Sequence, residues 1–256
     1  MIDNRQFRGV RRKVFGSVLF VGLLFYCLPV VKGEKLSLLN MRVSQIGQRT
    51  SEIISRLQKK YEETRKLKAN FDQENYLHSL GRITHSKGYL ILEKPGRIRA
   101  DYTEPEKQLI VSNGKRLWIY TPRLNQVIVS DLEGREAAPL PLLFLAGKGK
   151  LTREFHVKLL DVGVPPRKKG AWKAGQAHRL LLKPLRSVAK FQNLWIEANP
   201  INFQISGIEY SDELGNKTRI RFSKINENFV ASPEHFEFDI PPGVEVLKTP
   251  GRGGSK

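Results

Sequence analysis

The chain has 256 residues, 40% of them hydrophobic, enough to bury a sizeable core as one large domain or two small ones. Its single cysteine excludes a disulfide-stapled scaffold. A formal net charge of +19 narrows the partners of its surface to anionic ones, nucleic acid or a membrane among them.

Arg5, Arg8, Arg11, Arg12 and Lys13 precede an apolar run from Val14 to Val31, and Val31, Lys32 and Gly33 follow with small ends. This pattern predicts a secretory leader over residues 1–33, cut after Gly33. An uncleaved anchor is the alternative, since the run is near the lower length limit for a membrane span. Cys27 lies inside the apolar run, so cleavage would leave a mature chain without a thiol and without thiol redox chemistry. Tyr26 stands before Cys27 where lipid modification needs a small residue, which argues against a lipoprotein. An exported chain seldom meets nucleic acid, and no motif here interleaves basic residues with base-stacking aromatics. Anionic lipid headgroups are therefore the expected partner of the basic surface, against the alternative of a merely solvated one.

After a polar stretch to Arg49, Thr50 or Ser51 can cap a helix whose apolar positions Ile53, Ile54, Leu57, Tyr61 and Leu67 recur every three to four residues. Strand patterning begins near Ala69, with Phe71, Gln73, Ile83, Tyr89 and Ile91. From Gly88 to Ser130 four short apolar runs follow at hairpin spacing. They are separated by Lys94-Pro95-Gly96, Glu104-Pro105 and Asn113-Gly114, the last a strong hairpin signal. Ile98, Ala100 and Tyr102 alternate with Arg97, Arg99 and Asp101, which gives one apolar face that something must cover. The period of two stops between Asp131 and Thr152, where Pro139 to Ala146 is apolar on every side. A short helix starting at the prolines fits, either as core or beside something apolar.

Strands resume at Phe155 to Leu160, Ala177 to Lys183, Phe191 to Ala198, Phe203 to Tyr210 and Lys217 to Ile225. Another is expected at His235 to Ile240, where Phe236, Phe238 and Ile240 alternate with charged neighbours. The tail from Thr249 reads as disordered, which leaves residues 34–248 as one domain. Between Arg167 and Lys190 the bases Arg167, Lys168, Lys169, Lys173, Arg179, Lys183, Arg186 and Lys190 have no acid among them. With Trp172 beside Lys173 they are candidates for docking on anionic headgroups or an acidic partner.

No catalytic constellation emerges. The histidines at 78, 85, 156, 178 and 235 have no metal-ligand spacing, and there is no Gly-x-Ser-x-Gly elbow. Gly147-Lys-Gly-Lys150 lacks the first glycine and the Ser/Thr of a phosphate loop, with Phe144 and Leu151 in their places. Glu104 and Glu106 flank Pro105 as loop charges. We read the chain as non-catalytic, with no metal and no cofactor.

The residues Gly88, Leu90, Lys94-Pro95, Arg99, Tyr102, Pro105, Leu109 to Val111, Asn113-Gly114, Leu117-Trp118, Tyr120, Pro122 and Gln126-Val127 follow a specific order. In that order the stretch resembles the periplasmic lipoprotein carrier family, LolA. The segment PLPLLFLAGKGKL at Pro139 to Leu151 is similar too, and a looser resemblance runs from about Ser51 to Val246. The resemblance implies a mainly β (α+β) fold, a single incomplete antiparallel β-barrel whose curved sheet and helical lid enclose an apolar cavity; periodicity alone does not decide between barrel and sandwich. On this reading Leu90, Leu92, Ile98, Tyr102, Leu109, Val111, Trp118 and Tyr120 line the cavity, and Leu140, Leu142, Leu143, Phe144 and Leu145 form the lid. The family's latch arginine falls on Lys94, with Arg97 and Arg99 nearby but on the opposite strand face. The implied activity is carriage of triacylated lipoproteins from an ATP-driven inner-membrane complex to an outer-membrane acceptor by a soluble monomer. Exposing an acyl chain to water costs about 0.8 kcal/mol per methylene, on the order of 10 kcal/mol for one long chain, which a closed cavity removes. The alternatives are a lipoprotein-sensing regulator of the same fold and a peripheral carrier of other lipids.

Overall fold

A computed structural model describes residues 32–132, 145–147, 151–163, 176–185 and 191–248, with side chains from residue 40. Two compact units are distinguished, Met1–Gln45 and Ile46–Lys256. The described part of the first is the opening of helix α1 (Lys32–Glu63); the other described elements belong to the second.

Helix α1 starts well before the expected cap at Thr50 or Ser51. Residues 40–49 are all exposed, Met41, Val43 and Ile46 included, so no buried apolar stripe marks them, and their Arg, Gln and Met are adequate helix formers without one. The expected stripe follows: Ile53, Leu57 and Tyr61 are buried and Ile54 partly so, whereas Leu67 belongs to the next strand. The leader expected over residues 1–33 lies outside the described residues except for Lys32 and Gly33, which open α1.

Among the described residues, twelve strands form one sheet: β1 (Lys66–Leu77), β2 (Arg82–Glu93), β3 (Arg97–Glu104), β4 (Gln108–Asn113), β5 (Arg116–Thr121), β6 (Gln126–Asp131), β7 (Phe155–Asp161), β8 (His178–Pro184), β9 (Asn193–Ala198), β10 (Ile205–Ser211), β11 (Lys217–Asn226) and β12 (Glu245–Lys248). Their order is β12-β6-β5-β4-β3-β2-β1-β11-β10-β9-β8-β7. Each half of the chain is a meander, and the pairing of β1 with β11 joins the halves, Phe71 opposite Phe222 and Gln73 opposite Ile220. The sheet stays unclosed, with β12 on one edge and β7 on the other, an incomplete barrel as expected. Every pairing is antiparallel except β12 with β6.

The expected turns at Lys94-Pro95-Gly96, Glu104-Pro105 and Asn113-Gly114 separate β2, β3, β4 and β5. The fourth run divides into β5 and β6 at a 3-10 turn, Pro122–Leu124, closed by Asn125 at φ 49°. Gly88 faces inward in β2, because a Cβ there would lie 2.0 Å from the Asp101 carbonyl oxygen and 2.7 Å from the Phe71 ring. Its missing side chain makes room for that ring, which meets Tyr102 edge-on at 4.9 Å.

Period-two alternation divides the sheet into two apolar faces. Leu90, Leu92, Ile98, Ala100, Leu180, Leu182, Leu194, Ile196, Ile208 and Ile220 are all nearly inaccessible on the inner face. Ile53, Leu57 and Tyr61 of α1, Leu145, Ala146, and Leu151 of the short helix α2 (Leu151–Glu154) join that cluster, so helices cover the face that required it. The outer face of the first half carries a second cluster, Val111, Trp118 and Val127, with Leu109, Tyr120, Val129, Phe238 and Val244 packed on it.

The run His235 to Ile240 is not a strand. Ser232 caps a 3-10 turn, Pro233–Phe236, and the rest of the run, to Ile240, pairs with no strand. The alternation of Phe236 and Phe238 comes from lying across a sheet face rather than beside an edge: Phe236 is buried against β3 and β4, and the Phe238 ring sits 5.5 Å from that of Tyr120. β12 carries no sequence signal, being exposed along its whole length. Of the expected helix over Pro139 to Ala146, only Leu145 and Ala146 are described; Leu145 is helical and both are buried.

Candidate functional site

The site lies where α1 runs into β1 and where β2 and β11 both end. Thr64 closes the helix, its backbone N–H donating to the Lys60 carbonyl at 3.0 Å, and Arg65 leads into β1. Beneath this turn is a small, partly open pocket. Its walls are Leu67, Leu90, Leu145, Phe203, Ile205, Phe222 and Ile225, and its polar groups are Lys60, Tyr61, Thr64, Lys94, Gln204 and Glu227. Apolar walls with a few convergent polar groups suit an amphiphile better than a polar metabolite.

Lys94, at the end of β2, reaches into this pocket. Its Nζ donates to the Tyr61 carbonyl and lies 3.5 Å from the centre of the Tyr61 ring, a cation–π contact. Its backbone N–H donates to the Arg65 carbonyl at 2.7 Å. Burial depresses the ammonium to a pKa of about 8, Arg65 adds to the effect, and Glu62 opposes it. Burial also pushes the Tyr61 phenol well up, and nearby Glu154 reinforces this. Lys94 thus pins the C-terminal end of α1 to the first hairpin.

The Leu145 segment is held by other groups. The Gly96 N–H donates to the Ala146 carbonyl at 2.8 Å, and the Tyr61 hydroxyl lies 3.5 Å from the Gly147 carbonyl oxygen. The Gly96 turn is itself braced: the buried Ser112 hydroxyl donates to the Gly96 carbonyl at 2.8 Å, and a Cβ on Gly96 would come within 3.0 Å of the Gly114 Cα. A rigid turn therefore aims one backbone donor at the segment over the pocket.

The eight residues expected to line a cavity are not brought together. Leu90 lines the pocket, Leu92 and Ile98 are buried in the same inner cluster, and Tyr102 packs against it, its hydroxyl donating to Gln73 Oε1 at 2.9 Å. Leu109, Val111, Trp118 and Tyr120 lie in the outer cluster under Phe238 and Val244. Among the expected lid residues Leu145 lines the pocket; Leu140, Leu142, Leu143 and Phe144 lie outside the described residues. Arg97 pairs with Glu93 at 3.6 Å beside the Phe236 ring, and Arg99 pairs with Asp101 at 2.8 Å, both facing outward. Arg167, Lys168, Lys169, Trp172 and Lys173 lie outside the described residues.

A family model described as "Outer membrane lipoprotein carrier protein LolA" matches residues 62–239. The chain belongs to the LolA family. The outer-membrane lipoprotein carrier protein of Methylococcus capsulatus is 30% identical over 194 residues, covering 76% of this chain and 86% of its own. That of Chromobacterium violaceum is 32% identical over 181 residues, covering 71% and 80%. A crystal structure of a LolA superfamily protein from Nitrosomonas europaea superposes with a TM-score of 0.41 at 14% identity, covering 74% of this chain and 97% of that one. The pocket, its Lys94 pin and the Gly96 donor all lie within or border the matched LolA segment, apart from Lys60 and Tyr61, which stand just before it.

Sequence reasoning missed Glu227, Gln204 and Phe203, which complete the pocket wall, and Gly96 as the donor to the Leu145 segment. Glu227 lies 167 positions from its partner Lys60, and no local pattern connects them. Gly96 was legible as a turn residue, but the direction of its N–H was not. His178, the one buried histidine, stacks on Phe203 at 5.3 Å and accepts the Gly163 N–H at 2.9 Å. Burial and the nearby Arg49 and Arg56 lower its pKa.

Proposed function

We propose that this chain is an exported, periplasmic carrier that binds the acyl chains of lipoproteins and moves them from the inner to the outer membrane. The observation that carries this reading is the pocket itself: apolar walls roofed by α1 and Leu145, placed inside a LolA-family domain. Apolar area transferred from water supplies the affinity, and ties such as Lys94 to Tyr61 hold the empty form closed. The chain carries no motif for ATP, so loading comes from an ATP-driven inner-membrane complex and unloading from an acceptor that binds acyl chains more tightly. Intermediate affinity is then what the carrier requires.

Leu90, Leu92, Ile98 and Tyr102 from β2 and β3, with Phe222 and Ile225 from β11, are the lining we assign to the acyl chains, and the segment around Leu145 is the lid. The basic stretch from Arg167 to Lys190 is assigned to docking on anionic headgroups.

The test offers the purified chain a fluorescent acylated peptide and its deacylated twin. Retention of the acylated form in solution, with the twin unbound, is the expected result. Equal binding of both would overturn the carrier reading.

A further inference from the structure

One carboxylate ties three separate chain segments together at the rim of the pocket. Glu227, directly after β11, accepts the Lys60 ammonium on Oε2 at 2.6 Å and the Gln204 amide on Oε1 at 2.9 Å, with the Thr64 hydroxyl 3.1 Å from Oε1. Lys60 and Thr64 belong to the end of α1, and Gln204 to the connection between β9 and β10. All four residues line the pocket.

The strand order places β1 between β2 and β11, so Lys94 and Glu227 reach the end of α1 from opposite flanks. The flanks are not equally braced. On the Lys94 side, backbone bonds link Lys94 to Arg65 and Gly96 to Ala146, and Ser112 and Gly114 hold the Gly96 turn. On the Glu227 side, the described ties to α1 are side-chain contacts, with Lys60 and Glu227 24% and 27% exposed. A charge-assisted cluster of this kind holds firmly while intact, and because water reaches its members each can be resolvated when it parts. Behind it stand Phe203, Ile205, Phe222 and Ile225, the apolar wall that a chain passing the rim would meet first.

We propose that Glu227 is the gate of this pocket. An acyl chain enters and leaves between the last turn of α1 and the edge formed by Gln204 and Glu227, parting the Lys60–Glu227 pair, while the backbone bonds of the other flank, Lys94 to Arg65 and Gly96 to Ala146, stay made and act as the hinge. The identity of the occupant rests on the carrier reading; the gate itself is a property of the empty protein.

Glu227→Gln keeps the size of the side chain and removes its charge, Lys60→Met removes the other partner, and the double exchange Lys60→Glu with Glu227→Lys restores a pair. Amide hydrogen exchange on the full, ligand-free chain is expected to quicken about tenfold at Tyr61 to Thr64 and at Gln204 and Ile205 in each single variant, the loss of a charge-assisted bond, and to recover in the double exchange. The association rate of a palmitoylated peptide is expected to rise in parallel. Unchanged exchange at these amides in both single variants, or quickening confined to Lys94, Gly96 and Leu145, would overturn the gate. If the wild-type chain fails to bind the peptide while exchange responds as expected, the carrier reading falls and the gate stands.

Discussion

Lys94 stands where the resemblance places a latch, and among the described residues it and the neighbouring Gly96 divide the contacts between the end of α1 and the segment over the pocket. Its ammonium holds the Tyr61 carbonyl and ring, whereas the Gly96 N–H holds the segment over the pocket. Lys94→Leu removes an interaction belonging to the closed form and adds apolar wall. It is expected to hold an acylated peptide about tenfold more tightly and to release it more slowly to an acceptor, as read by equilibrium binding and transfer rates. Lys94→Arg, with its wider fork of donors, is expected to do the reverse. The depressed pKa gives a second test. Between about 8 and the ordinary lysine value of 10.5 the unfolded chain binds a proton at this position that the folded chain has released. Stability from Lys94 therefore rises with pH across that window. Urea titrations at pH 8 and pH 10.5 should show wild type gaining on Lys94→Leu; a constant difference would remove the burial account. At Gly88 a methyl group would collide with the Asp101 carbonyl and the Phe71 ring, so Gly88→Ala should cost about 1–3 kcal/mol, measured by the same titration.

At the scale of elements, α1 and the C-terminal turn cover opposite faces of one sheet, and their roles can be separated by mutation. Leu57, 1% exposed, anchors α1 in the inner cluster. Phe236, equally buried, anchors the 3-10 turn outside β3 and β4. Truncation of either should destabilise the fold, Leu57→Ala by about 2–5 kcal/mol and Phe236→Ala by about 3–5 kcal/mol. Only the first should alter affinity for an acylated peptide, because the outer cluster of Val111, Trp118 and Val127 does not border the pocket. A change of affinity in folded Phe236→Ala would return the outer cluster to the candidate cavity. The missed start of α1 and the misread run at His235 have one cause. Periodicity reports a buried face, so it overlooks an exposed helical stretch and mistakes a segment draped across a sheet for a strand within it.

For the whole molecule, the charge of +19 is an excess of bases over acids that internal ion pairing cannot consume. If the acid-free stretch from Arg167 to Lys190 docks on headgroups, binding to vesicles containing anionic lipid should fall steeply with added salt and weaken further when Lys168 and Lys169 are both changed to Glu. Binding indifferent to salt and to the substitutions would leave the charge to solubility alone. The sequence by itself determined the meander and its turns, the apolar stripe of α1 and the family, because alternation, Asn-Gly and Pro-Gly signals and motif order are local and survive in one dimension. Only the tertiary structure decided which strand face meets the pocket, separating Leu90 from Trp118, and which distant groups close it. Those choices depend on the pairing of β1 with β11 and on the C-terminal segment taking the outer face first; both bring together residues far apart in the chain, where burial and charge pairing act through space.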